Sequence, residues 1–76
     1  MKNKTKQLLK EIEEDFKKTF PGSSYSIEYS EPSGEYFFIA DKRISDTKEF
    51  LSWVYKMNGK LFEEEVYDIR ITEEAS

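Results

Sequence analysis

A chain of 76 residues holds one domain, expected over 1–76, and is too short for two. Its net charge of -4, from 12 basic and 16 acidic side chains, disfavours duplex DNA or RNA as a ligand. Cysteine and histidine are absent, which removes disulfides, thiolate nucleophiles, the usual zinc sites and the commonest general base.

Met1 to Lys10 is basic but lacks the apolar stretch of a signal peptide. No run approaches the roughly 18 apolar residues of a membrane span, and the cytoplasm is taken as the default location. From Thr5 to Phe20, Leu8, Leu9, Ile12, Phe16 and Phe20 recur at helical spacing and predict a first helix. Glu13 with Lys17 and Glu14 with Lys18 form acid-before-base pairs on its other face. Pro21 and Gly22 stop it.

Tyr25, Ile27 and Tyr29 alternate with polar residues and predict a first strand, followed by the turn residues Glu31 to Gly34. The returning strand, Glu35 to Asp41, carries apolar residues on both faces, as a strand with neighbours on both sides does. Asp46 and Glu49 have capping-box spacing and predict the start of a second helix. Its buried stripe is Phe50, Trp53, Val54 and Met57, widened by Leu51 and Tyr55, and Asn58-Gly59 is its expected end. After the acidic run Glu63 to Glu65, alternation of Tyr67, Ile69 and Ile71 with Val66, Asp68 and Arg70 predicts a third strand. Residues 1–4 and 73–76 are expected to fray.

The order α-β-β-α-β specifies an α+β fold, a two-layer sandwich in which a three-stranded sheet carries both helices on one face. The third strand can lie beside the second or the first. An even hairpin loop, of two or four residues, puts Tyr25, Ile27, Tyr29, Tyr36, Phe38 and Ala40 on the helix side with Tyr67, Ile69 and Ile71. The open face is then expected to show Phe37, Ile39 and Val66 among Glu28, Asp68 and Arg70, an apolar patch rimmed by charge.

No phosphate loop or nucleophile elbow occurs, and no spacing of carboxylates marks a hydrolytic or Mg²⁺ site, so neither catalysis nor a cofactor is expected. The expected function is binding to a protein. Candidate partner-binding residues are Phe37, Ile39, Val66 and Arg70 with the carboxylates Glu28, Glu35, Glu63, Glu64, Glu65 and Asp68. Residues 22–41 hold no base, and carboxylates arrayed on one surface can occupy a basic groove as nucleic-acid phosphates do. Alternatives are a homo-oligomeric module pairing through the open face and a carboxylate-dependent hydrolase.

Within Thr47 to Met57, Ser52-Trp53-x-Tyr55 resembles a helix of the small phage-encoded anti-CRISPR inhibitors, over about eleven residues. That resemblance implies a non-catalytic inhibitor covering a nucleic-acid-binding or catalytic surface of a host protein. It assigns a role to no individual residue, and Trp53 lies on the apolar stripe.

Overall fold

A computed structural model describes residues 3–73. The elements run α1 (Asn3–Thr19), β1 (Tyr25–Ser30), β2 (Glu35–Ala40), α2 (Lys42–Ser45), α3 (Lys48–Glu63) and β3 (Ile69–Glu73). The expected α-β-β-α-β order is present, with the short α2 added. Of the ends expected to fray, 1–2 and 74–76 lie outside the described residues, whereas Asn3 and Lys4 belong to α1 and Glu73 to β3. Among the described residues, no helix is long and apolar enough to cross a membrane.

The strand order is β1-β2-β3, so the open question is settled with β3 beside β2. β1 and β2 pair antiparallel, with Tyr29 opposite Tyr36 and Ile27 opposite Phe38. Their loop has four residues; the Gly34 amide donates to the Ser30 carbonyl at 2.7 Å, and Gly34 takes a positive φ of 69°. β2 and β3 pair parallel, with Tyr36 beside Ile69 and Phe38 beside Ile71. The parity expected for the hairpin therefore holds, and Ile69 and Ile71 share the helix side.

Phe16 is the centre of the core. Its ring is fully buried, with centroids 5.3 Å from each of Phe20, Tyr25, Phe38 and Trp53, so α1, both hairpin strands and α3 meet on one side chain. Leu8, Leu9, Ile12, Ala40, Phe50, Met57, Leu61, Val66 and Ile69 complete the buried cluster. Helices α1 and α3 run antiparallel beneath three ties: Lys4 to Glu64, Lys60 to Glu11, and the Trp53 indole N–H to Asp15.

The ends of α3 differ from expectation. Its N-cap is Thr47 rather than Asp46, because Asp46 already caps the C-terminus of α2. The Thr47 hydroxyl accepts from the Phe50 amide at 3.2 Å and donates to the Ile44 carbonyl at 2.7 Å, joining the two helices. At the other end, Asn58 and Gly59 stay helical, since Leu61 adds another buried turn beyond them. Termination falls to Glu65 at φ 58°, with Glu65 donating to the Phe62 carbonyl and Val66 to the Leu61 carbonyl, which is a Schellman arrangement.

That ending shortens β3. Val66 folds back as the apolar partner of Leu61 and is buried, and Tyr67 lies outside the strand and is exposed. The expected strand residues 66–68 are thus loop, and the strict alternation begins only at Ile69. Glu13 departs from the expected Lys17 pairing: it accepts from the Tyr25 hydroxyl at 2.8 Å, while the Lys17 ammonium lies 5.9 Å above the Tyr25 ring.

These caps give a direct check by chemical denaturation. Thr47→Ala is expected to cost about 1 kcal/mol and Asp46→Ala much less. Glu65→Gly is expected to stabilise by roughly 0.5–1 kcal/mol, because glycine takes the left-handed position without the Cβ penalty.

Candidate protein interface

Three surfaces are candidates for an interface. On the open side of the sheet, the register aligns Glu28, Phe37 and Arg70 in one row and Ser26, Ile39 and Thr72 in the next. Glu35 and Arg70 form an ion pair across the diagonal, and the neighbouring Arg70 guanidinium holds the Glu35 carboxyl below the usual carboxylate range. Phe37 and Ile39 are half-buried among these side chains, while Glu28 and Arg70 are exposed.

Two residues expected on that face are elsewhere. Val66 is buried in the core beneath the end of α3. Asp68 turns to the helix side, where both its oxygens lie 3.0 Å from the Thr5 hydroxyl, and that contact satisfies the otherwise buried Thr5. Because residues 66–68 precede the strand, face parity does not govern them.

The second surface is a groove of about 360 Å³ whose lining includes Lys4, Ser33, Glu35, Glu65 and Asp68. Two of its three carboxylates are already engaged, Glu35 with Arg70 and Asp68 with Thr5, while Glu65 is exposed. Among the described residues, no group of three or more His, Cys, Asp or Glu side chains could hold a metal ion.

The third surface was missed in the sequence. Leu51 and Tyr55, expected to widen the buried stripe of α3, are 55% and 77% exposed. Phe62 is 71% exposed and Tyr67 is 63% exposed, their rings edge to face at 6.5 Å. Leu51, Tyr55, Asn58 and Phe62 follow at spacings of four, three and four, which puts them along one face of the helix. The ties from Trp53 and Lys60 to α1 orient α3 so that this face points away from α1, along the outer side of β3. A pocket of about 220 Å³ opens there between Asn58, Leu61, Phe62, Tyr67 and Ile69.

Width explains the exposure. Three strands about 4.8 Å apart are narrower than two helices of about 10 Å diameter side by side, so α3 overhangs the edge of β3 and its outer flank has nothing beneath it. The acidic run sits at the end of this flank. Glu63, Glu64 and Glu65 follow Phe62 and are all exposed, and Glu64 makes an ion pair with Lys4 at 3.4 Å. The signal that could have separated the flank from the core was the number of apolar positions on α3: those at 50, 53, 54, 57 and 61 already fill an inward stripe, and those at 51, 55 and 62 form a second.

Comparison with known proteins returns no match: no protein-family model, no curated protein and no solved structure matches this chain.

Asp15 offers a pH test of how α3 is held. Burial pushes its carboxyl upward, but hydrogen bonds from Trp53 and Thr19 and the charges of Lys56 and Lys60 outweigh burial, and the net shift is downward from the usual carboxylate range. A carboxyl lowered on folding contributes stability that is full above its unfolded value and disappears as pH falls through the folded one. Urea melts between about pH 5 and about pH 3 should therefore show a smaller loss of stability for Asp15→Asn than for the wild type. Equal slopes would remove Asp15 from the acid-sensitive set.

Proposed function

We propose that this chain is a non-catalytic protein-binding domain whose binding surface is the outer flank of α3. The observation that carries the reading is the alignment of Leu51, Tyr55 and Phe62, with Tyr67 beside them, as large apolar side chains exposed on one flank. Such side chains are enriched at the centres of protein interfaces, and aromatic residues dominate binding energy there. The state of the carboxylates also supports it. Where the surroundings resolve a shift, at Asp15, Glu35 and Asp41, it is downward, opposite to what a general acid near neutrality requires.

Charge limits the partner. Glu63 and Glu65 stand at the Phe62 end of the flank, so a surface that covers the apolar stripe and carries a base at that end is the complementary one. An inhibitor from a phage or mobile element, of the anti-CRISPR kind and acting in the cytoplasm on a basic, nucleic-acid-binding surface of a host protein, is one form of this reading. The net charge and the resemblance of Thr47 to Met57 support that form. The Phe37 and Ile39 face supports binding less strongly, because both side chains are half-buried by their own neighbours.

The test compares the immobilised wild-type chain with Tyr55→Lys/Phe62→Lys in a lysate of cells that encode it, read by mass spectrometry. Both sites are exposed, so the variant should keep the wild-type circular dichroism. A protein bound by the wild type should be reduced at least about tenfold on the variant. Equal retention on both, or loss only with Phe37→Asp, would overturn the assignment of the flank.

A further inference from the structure

We infer that the flank of α3 is built to receive a second copy of this chain, in an antiparallel pairing about a two-fold axis that passes between Lys56 and Met57. This rests on the reading of the flank as a protein interface and names its occupant.

The stripe is self-complementary in that register. Leu51 meets Phe62 of the second copy, and Tyr55 meets Asn58, so one apolar and one amphipathic pair repeat on each side of the axis. The spacing of four, three and four is that of a helix-pairing seam, and an asparagine in such a seam fixes register. The pocket of about 220 Å³ beside Phe62 and Tyr67 lies where Leu51 of the second copy enters. The same register puts Lys48, the first residue of α3, against Glu65 of the second copy with Glu63 nearby, so the base required at the acidic end comes from the chain itself.

The strand edge agrees with the same axis. Among the described residues β3 pairs with β2 alone, and its other edge is open. An axis normal to the sheet at that edge brings β3 antiparallel to its copy. Because α3 packs on β2 through Trp53 and Phe38 and ends over Ile69, it stands about one strand spacing from the axis. Doubling that spacing of about 4.8 Å gives helices about 10 Å apart, at the upper end of the 8–10 Å range for packed helices. At roughly 200 Å² per aromatic ring, the four exposed side chains leave on the order of 500 Å² per protomer. The strand edge and Val54 bring this toward the roughly 800 Å² per partner of a stable interface.

Light scattering after gel filtration, from low to several hundred micromolar, tests the pairing on the full chain. The wild type should reach twice the monomer mass, and Tyr55→Lys should raise the dimer dissociation constant at least about thirtyfold without changing the circular dichroism. Lys48→Glu should weaken the dimer and Lys48→Glu/Glu65→Lys should recover it. A wild type that stays monomeric throughout overturns the second copy as occupant, and the lysate comparison then still decides whether the flank binds a different protein. A dimer indifferent to Tyr55→Lys, or broken by Phe37→Asp alone, overturns the pairing through α3.

Discussion

Everything else in this fold depends on the Phe16 ring. A chain with 37% hydrophobic residues has few apolar side chains to spend, and Phe16 uses one of them to touch α1, β1, β2 and α3 at once. Truncating such a residue typically removes about 3–5 kcal/mol. At 76 residues and roughly 0.05–0.15 kcal/mol per residue, that is a large share of the whole stability. Asp15, the preceding residue, takes the indole N–H of the Trp53 that Phe16 packs against. Adjacent positions of α1 thus hold both the apolar body and the polar edge of one tryptophan.

This arrangement fixes the rotation of α3 about its own axis, and the rotation decides what the surface looks like. With Trp53 and Lys60 committed to α1 and Leu61 to the core, the face bearing Leu51, Tyr55 and Phe62 can only turn outward beyond β3. Exposed ion pairs contribute little, about 0–1 kcal/mol each, so Lys60–Glu11 and Lys4–Glu64 align the helices more than they stabilise them. The apolar flank follows from the core geometry, and moving it inward would require giving up the Trp53 contacts.

The sequence was most legible where periodicity and tertiary packing agree. Leu8, Ile12 and Phe16 in α1, and the alternation through Tyr25, Ile27, Phe38 and Ala40, gave the layers, the hairpin and its facing correctly. Local signals failed where a competing partner took the same residue. Asp46 has capping chemistry but serves α2, and Asn58-Gly59 reads as a stop that Leu61 overrides through burial. Val66 and Asp68 fit a strand pattern, yet a Schellman turn consumes the first and Thr5 the second. For the candidate interface, Glu28, Phe37, Ile39 and Arg70 do share the open sheet face. The more exposed patch on α3 was hidden because apolar residues at helical spacing look alike in sequence whether a neighbour covers them or not.

Two residues of α3 and its cap work against local stability, and only Glu65 stands at the end of the flank. Gly59 loosens a helix that has no internal use for its missing Cβ, at about 1 kcal/mol relative to alanine. Glu65 occupies a left-handed position that glycine would fill at lower cost, and it keeps a carboxylate there. A helix selected only for its contribution to the fold would have alanine at the first position and glycine at the second. The departure at Glu65 becomes intelligible if the flank meets a positive charge there, which is how a surface selected for contact differs from one selected for stability, whereas Gly59 stands off the flank and nothing in the structure explains it.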